Sequence, residues 1–345
     1  MSRRWKIALI VVAALCAAAL VLMRRSEPVY QDRPISAWLD DFAVHTQTAY
    51  PAAIREIGAN GLPYAVRNLA RNDSKWRNKY RELQPKLPKF LRGILPELKP
   101  NLKVVNGANL FFFLGSNSIP NAIALLKHDS PSVRQAAAWG LNSLRSQSAA
   151  AKVAIPALIE ALKDADRGVR LHAVLALKEM GADASNAVPA IIKVLDAGLD
   201  SPTNSSFYLQ AAAASALGKI GPSASGALAN LKRATRVSYQ DAPGFQNSGA
   251  SYLRGQAAVA IWRIDSDVES VLPVLLREMP GISEHSKWDW IIALGEMGPR
   301  AKEAIPRLKT ELIQDKEKWV LEYVTNALIK IDPEVAAKVA DQTAE

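Results

Sequence analysis

An apolar residue followed by proline recurs along the chain at a nearly constant interval, and this interval constrains the fold more than any other feature. The pairs are Leu62-Pro63, Ile119-Pro120, Ile155-Pro156, Val188-Pro189, Leu272-Pro273 and Ile305-Pro306, and Ala227-Leu228 holds the same place once without proline. From Pro120 onward, with Leu228 taken as a proline site, the spacings are 36, 33, 39, 45 and 33 residues. Repeats of this length are single supersecondary units that cannot bury an apolar face alone, so they must stack in series.

Each pair opens a helix-periodic stretch such as ALIEALKDAD or RLKTELIQDK, and a turn leads to a second stretch rich in Ala and Leu. The second stretches are VRQAAAWGLNSL from Val133, VRLHAVLALKEMG from Val169, YLQAAAASALGKIG from Tyr208, LRGQAAVAIWRID from Leu253, KWDWIIALGEMG from Lys287 and WVLEYVTNALIKID from Trp319. Proline in a first helical turn lacks only an N–H that would be orphaned anyway. Ser130-Pro131 reads as an N-cap followed by an N1 proline. Gly181, Gly221 and Gly298 are placed to take the left-handed conformation that ends a second helix. Apolar residues make up 49% of the chain but aromatics only 7%, so the core must be built from closely spaced small side chains between helices. Alternating β-branched runs are scarce, and no sheet is expected.

The unit P-x-L-x-x-x-L-x-x-x-x-x-x-V-R-x-x-A-x-x-A-L-x-x-x-G resembles a HEAT repeat, of the bacterial type related to the phycobilisome-lyase family of HEAT-like repeats. Pro156 through Gly181 carries the match in Leu158, Leu162, Val169-Arg170, Ala173, Ala176-Leu177 and Gly181. The resemblance covers residues 119–332. Before it, Ser36–Phe42 and Pro51–Gly58 look like a degenerate first pair, and YQDRPISAWLDDF is similar to a short capping helix. The resemblance implies an all-α fold, a right-handed α-solenoid of antiparallel helix pairs. The chain divides into an N-terminal anchor (1–25), capping helices (26–60), a degenerate unit (61–118), the HEAT-like repeats (119–333) and a C-terminal tail (334–345). Relatives of this type include enzymes that attach bilin chromophores to partner cysteines and others that act on damaged DNA bases, but no catalytic residue carries over.

Ile7 to Met23 is seventeen consecutive apolar residues, bracketed by Arg3, Arg4 and Lys6 on one side and Arg24 and Arg25 on the other. That length sits at the short end for a transmembrane helix. A cleavable signal is the rival reading, since Ala17-Ala18-Ala19 offers small residues to a peptidase; the run continuing through Leu20–Met23 into two arginines favours an uncleaved anchor. A short basic start before one apolar run places the body outside the cytoplasm, in the periplasm of a Gram-negative cell. The single cysteine, Cys16, lies within this run, so no disulfide framework is available.

The net charge is +10, and its location matters. The anchor flanks carry +5 and residues 71–103 carry +7, so everything else balances at −2. A long basic groove for nucleic acid is therefore not expected along the repeats.

No catalytic, cofactor or metal signature is present. His45, His128, His172 and His285 fall in different units without ligand spacing. Asp164 and Asp166, just before Val169-Arg170, are read as capping the second helix and pairing with arginine. Three inserts interrupt the repeats, at 72–103, 199–207 and 236–251, each between the first and second helix of its unit, so they should share one edge of the array. They bring Trp76, Tyr80, Phe90, Phe207, Tyr239 and Phe245. The first insert interleaves Lys75, Trp76, Arg77, Lys79, Tyr80, Arg81, Lys86, Lys89 and Arg92 with prolines 85, 88, 96 and 100, and is the candidate binding surface, suited to anionic lipid, an acidic partner or an anionic polymer such as nucleic acid. The sequence thus points to a membrane-tethered scaffold that binds another protein without chemistry of its own. The alternatives are a HEAT-like lyase or nucleic-acid enzyme, and an envelope structural protein contacting lipid.

Overall fold

The computed structural model describes residues 28–40, 53, 55–71, 103–144, 148–199, 207–238, 248–279, 284–314 and 318–343. The apolar run 7–23 lies outside them, and among the described residues no helix is long and apolar enough to cross a membrane. The chain forms two compact units, residues 1–157 and 158–345.

The first unit opens with a feature the sequence reading did not expect. Val29–Tyr30 (β1) and Arg33–Pro34 (β2) pair antiparallel, Val29 opposite Pro34. Gln31 and Asp32 make the two-residue turn with φ of 50° and 58°, the conformation that matches the twist of a tight hairpin. The indole of Trp38, on α1 (Ile35–Asp40), donates to the Tyr30 carbonyl at 3.2 Å, and the Arg33 guanidinium lies 4.6 Å over its ring. Two residues per strand are too few to show an alternating pattern, and the hairpin is held from outside by this tryptophan.

The remaining helices of the first unit are α2 (Leu62–Arg71), α3 (Lys103–Leu114), α4 (Ile119–Leu125), α5 (Pro131–Ser143) and the short α6 (Ser148–Ala151). α2 and α3 pack on each other and on α5, where Leu69, Val133 and Ala136 form a buried cluster flanked by Val66, Leu125 and Trp139. Ser130 caps α5 as its sequence implies, accepting from the Val133 N–H at 3.3 Å with Pro131 following.

Helix α7 (Ile155–Ala161) runs across the division. The second unit continues with α8 (Arg167–Met180), α9 (Val188–Leu199), α10 (Phe207–Ile220), α11 (Leu228–Ala234), α12 (Ser248–Asp265), α13 (Val268–Glu278), α14 (Glu284–Met297), α15 (Ile305–Gln314), α16 (Lys318–Ile331) and α17 (Pro333–Thr343). It is an all-α solenoid. The second helices α8, α10, α12, α14 and α16 pack each on the next, while α9, α11, α13 and α15 pack on second helices as an outer layer. Phe207, expected in a polar insert, is the first residue of α10 and is buried. The expected tail from 334 is α17, started by Asp332 accepting from the Val335 N–H at 3.3 Å and packed on α16.

Small residues set the stacking distance. A Cβ on Gly218 of α10 would come within 2.8 Å of the Ala260 Cα on α12. A Cβ on Gly255 of α12 would overlap the indole of Trp290 on α14, a fully buried ring. The turns that return the chain to the outer layer obey the same rule. Gly181–Ala187, Gly221–Ala227 and Gly298–Ala304 are 3-10 segments of equal length that lead directly into α9, α11 and α15. Each opens on a glycine with positive φ, at 55°, 76° and 60°. At Gly181 ψ is −132°, so this residue lies in space reserved for glycine rather than in the expected left-handed helical region. The fourth residue of each segment, Ala184, Ala224 and Ala301, breaks the helical path with ψ of 17°, 16° and 23°. These alanines and Ala187, Ala227 and Ala304 are all 0% exposed. Gly58 and Gly115 open shorter versions of the turn, also at positive φ.

One proline departs from the pattern. Pro273 lies inside α13 rather than in its first turn, because Asp267 caps this helix early by accepting from the Ser270 N–H at 3.1 Å. Pro273 is exposed, so the backbone bond it cannot make faces water.

Between the layers, Glu278 at the end of α13 is 5% exposed and receives Arg254 of α12 through Nε at 2.8 Å and Nη2 at 2.7 Å, and Arg277 at 2.7 Å. Arg254 also donates to the Val237 carbonyl and Ser251 Oγ. Burial alone raises the Glu278 carboxyl pKa, but hydrogen bonds from Arg254, Arg277 and Ser251 outweigh it and hold the group below its ordinary 4.5.

Two outcomes are expected. Ala184→Leu should lower stability by roughly 1–3 kcal/mol through overpacking, while Ala182→Leu, exposed in the same turn, should stay within about 0.5 kcal/mol; equal shifts in urea midpoint would remove the packing argument. The depressed Glu278 pKa adds stability that is fully present above the unfolded value and lost as pH falls through the folded one. Amide exchange in α12 and α13 should therefore be faster in Glu278→Gln than in the parent at neutral pH, and the two should converge in acid. A difference that persists once the carboxyl is protonated would refute this.

Candidate functional site

The second unit contains a cleft of about 640 Å³ between the end of α7, the start of α8 and one face of α9, with α10 beneath. Its walls follow from the repeat. On α9, Pro189, Ala190, Lys193, Val194, Ala197 and Gly198 fall at helical spacing on a single face, while Ile191 and Leu195 turn into the core. Ile159 and Leu162 supply the opposite apolar wall, and Leu209 and Gln210 line the cleft from α10.

The turn beside the cleft is held by its own polar groups. Asp166 caps α8, accepting from the Val169 N–H at 3.0 Å, and Asp164 accepts from the Asp166 N–H at 2.8 Å. The capping role matches the sequence reading, but the arginine does not pair as expected. Arg170 donates to the backbone carbonyls of Asp164 at 2.6 Å and Ala165 at 2.9 Å rather than to either carboxylate. The carboxylates are already occupied by backbone N–H groups, whereas the carbonyls ending the first helix need donors. Arg134 makes the same staple in the first unit, to the carbonyls of His128 and Asp129, both at 2.9 Å. The V-R dipeptide of the repeat is thus a turn lock.

In the next repeat Gln210 takes the arginine's place. It is 3% exposed and its Nε2 donates to the Val194 carbonyl at 3.4 Å, while Oε1 is buried with no hydrogen-bond partner. Gly198 makes room for it, since a Cβ there would overlap the Gln210 amide as it is placed.

The cleft is lined by four cations, Lys163, Arg167, Arg170 and Lys193, and by no carboxylate. The acids nearby are engaged elsewhere. Asp196, on α9, is turned to the following repeat, where Asn230 donates to it at 2.9 Å and Arg233 at 3.1 Å. Glu160 pairs with Lys163 at 2.9 Å, but both side chains are about two-thirds exposed, so this pair adds little. Burial lowers the His172 pKa to about 4 despite the opposing pull of Asp166, so this histidine is neutral at physiological pH. His128 accepts the Ser130 N–H on Nδ1 at 3.0 Å, a structural role. His45 and the side chain of His285 lie outside the described residues. Among the described residues no group of three or more His, Cys, Asp or Glu could hold a metal ion.

The candidate surface residues Lys75, Trp76, Arg77, Lys79, Tyr80, Arg81, Lys86, Lys89 and Arg92 all lie outside the described residues, as do Phe90, Tyr239 and Phe245. The gaps they occupy open after α2, α9 and α11, each a first helix, and close at α3, α10 and α12. The sequence reading missed the cleft. Its cations are spread over three elements, and only the glycine at 198 and the glutamine replacing arginine at 210 marked the place.

A buried acceptor without a donor costs about 1–3 kcal/mol. Gln210→Met removes that atom at similar volume and is expected to leave stability unchanged or raise it, despite loss of the long bond to Val194. A fall in urea midpoint comparable to a core cavity would show that the amide is a structural requirement instead.

The family described as HEAT repeats matches the chain twice, over residues 119–207 and 155–241. No curated protein matches. Among solved structures, the complex of CpcE and CpcF of phycocyanin lyase from Nostoc sp. PCC7120 is similar at 21% identity, covering 74% of this chain and 97% of that one, with a TM-score of 0.48. Two engineered proteins of the Northeast Structural Genomics Consortium are similar at 16% identity each. One covers 79% of this chain and 96% of its own with a TM-score of 0.36, and the other covers 85% and 77% with a TM-score of 0.40. With two overlapping matches falling on the pairs that the proline spacing defines, residues 119–241 of the chain are HEAT repeats.

Proposed function

We propose that the chain is a scaffold that binds another protein, and that the cleft between α7 and α9 is where the partner docks. The observation that carries this reading is the cleft's composition: largely apolar walls with four cations and no carboxylate in the lining. Rigid secondary elements on both sides make it a preformed surface. No reaction is assigned to it. We further propose that residues 7–23 tether the scaffold to a membrane with its body outside the cytoplasm, which rests on the seventeen-residue apolar run and its basic flanks. The basic stretch 71–103 then lies close in sequence to the membrane surface and is suited to anionic headgroups.

A photo-crosslinking residue at Ala197, exposed on the cleft wall, tests the docking site in native cells against the same residue at Asn326, exposed on α16. A defined adduct from position 197 that position 326 does not give is expected. No adduct at 197, or the same adducts at both, would overturn the assignment.

A further inference from the structure

Taking the cleft as a protein-docking site, we infer that its occupant is an acidic peptide segment of the partner, with carboxylates directed to Arg167 and Lys193 and small apolar side chains seated between Ile159, Leu162, Val194 and Leu209. Three observations select this class. The lining holds positive charge only, with Asp164 and Asp166 turned to backbone N–H groups and Asp196 to the next repeat, so the cleft wall presents no carboxylate to an incoming one. The α8 N-terminus, where a phosphate would otherwise find backbone donors, is already filled by the Asp166 carboxylate on the Val169 N–H. Cations on side chains remain, without the amide cradle that favours phosphate.

The third observation is Gln210. It lines the cleft, it is 97% buried, and its Oε1 has no donor. A ligand that completes this site, once the amide turns to meet it, brings a hydrogen-bond donor as well as negative charge. A phosphate dianion and a phosphodiester offer acceptors only, and phosphatidylglycerol carries its donors as hydroxyls on a flexible glycerol rather than fixed beside its charge. A peptide segment offers both, with main-chain N–H groups alongside its carboxylates. The α9 face is also suited to backbone approach, since Ala190, Ala197 and Gly198 project little beyond the helix.

The test uses the full chain and three fluorescein-labelled peptides of one length built on Leu and Ala, carrying Glu, Gln or Lys at matched positions, read by anisotropy. The Glu peptide should bind and the Gln and Lys peptides should not, with affinity falling as salt rises. Arg167→Glu and Lys193→Glu should each weaken Glu-peptide binding about tenfold or more, as like charges at a docked carboxylate do. Both positions are exposed, so folding should be retained, and Lys330→Glu on α16 serves as the charge-matched control. Gln210→Met should weaken binding with less salt dependence than either charge reversal. Equal binding of the Glu and Gln peptides, equal loss in Lys330→Glu, or equal displacement by inorganic phosphate or phosphatidylglycerol vesicles would overturn the inference. If the Glu peptide fails while position 197 still gives its adduct, the acidic class falls and the docking site stands.

Discussion

Helices in the second unit can lie on one another only as closely as their smallest side chains allow, and that distance governs the rest of the structure. Gly218 against Ala260 and Gly255 beneath Trp290 set it within the layer of second helices. The buried alanines at 184, 224 and 301 set it where the chain crosses to the outer layer. A methyl group is about the largest object these contacts accommodate. Alanine contributes little transfer energy per residue, but it allows backbones to approach, so dispersion is gathered over long helical surfaces rather than concentrated in a few large side chains. This is why a chain so poor in aromatics can still build a continuous core.

Polar groups complete what the small residues begin. Where a first helix ends, its last carbonyls are satisfied by the arginine of the V-R motif, and the next helix is capped by Ser130 or Asp166, as Asp267 caps the first helix α13. Where one repeat meets the next, Asp196 is taken by Asn230 and Arg233, and Arg263 holds Asp289 at 2.7 Å. The cleft's charge is a remainder of this arrangement. Its acids serve the backbone or the neighbouring repeat, while Arg167 and Lys193 stay at the surface. Gln210 breaks the local rule, occupying a position that belongs to a turn-locking arginine and leaving a buried oxygen unmatched.

The array was legible in the sequence because its signals are periodic and local. Proline after an apolar residue, alanine at helical spacing and a cap ahead of V-R each act within one turn of helix. Features that depend on contact between distant residues were not legible. The hairpin at 29–34 exists because Trp38 reaches back to it, and Pro273 falls inside a helix because Asp267 starts that helix early. The Arg170 partners were misassigned because sequence proximity to two aspartates says nothing about which of their oxygens is already bonded. The cleft was hidden for the same reason: Lys163, Arg167 and Lys193 look like ordinary surface charges until the acids around them are seen to be engaged. The nine candidate residues between Lys75 and Arg92 fall beyond the described helices.

The equal turns from Gly181, Gly221 and Gly298 have a consequence for how such a chain can change. They fix the register between repeats and cannot be lengthened without moving two buried alanines each. The opposite crossing, from first to second helix, carries no such constraint, running over residues 162–166 in one repeat and over 235–247 in another. Closing a longer loop costs only about 0.6 kcal/mol per doubling of its length. In these three repeats one side is thus a rigid hinge pin and the other an open splice site, where new sequence can be acquired while the stack is left as it was.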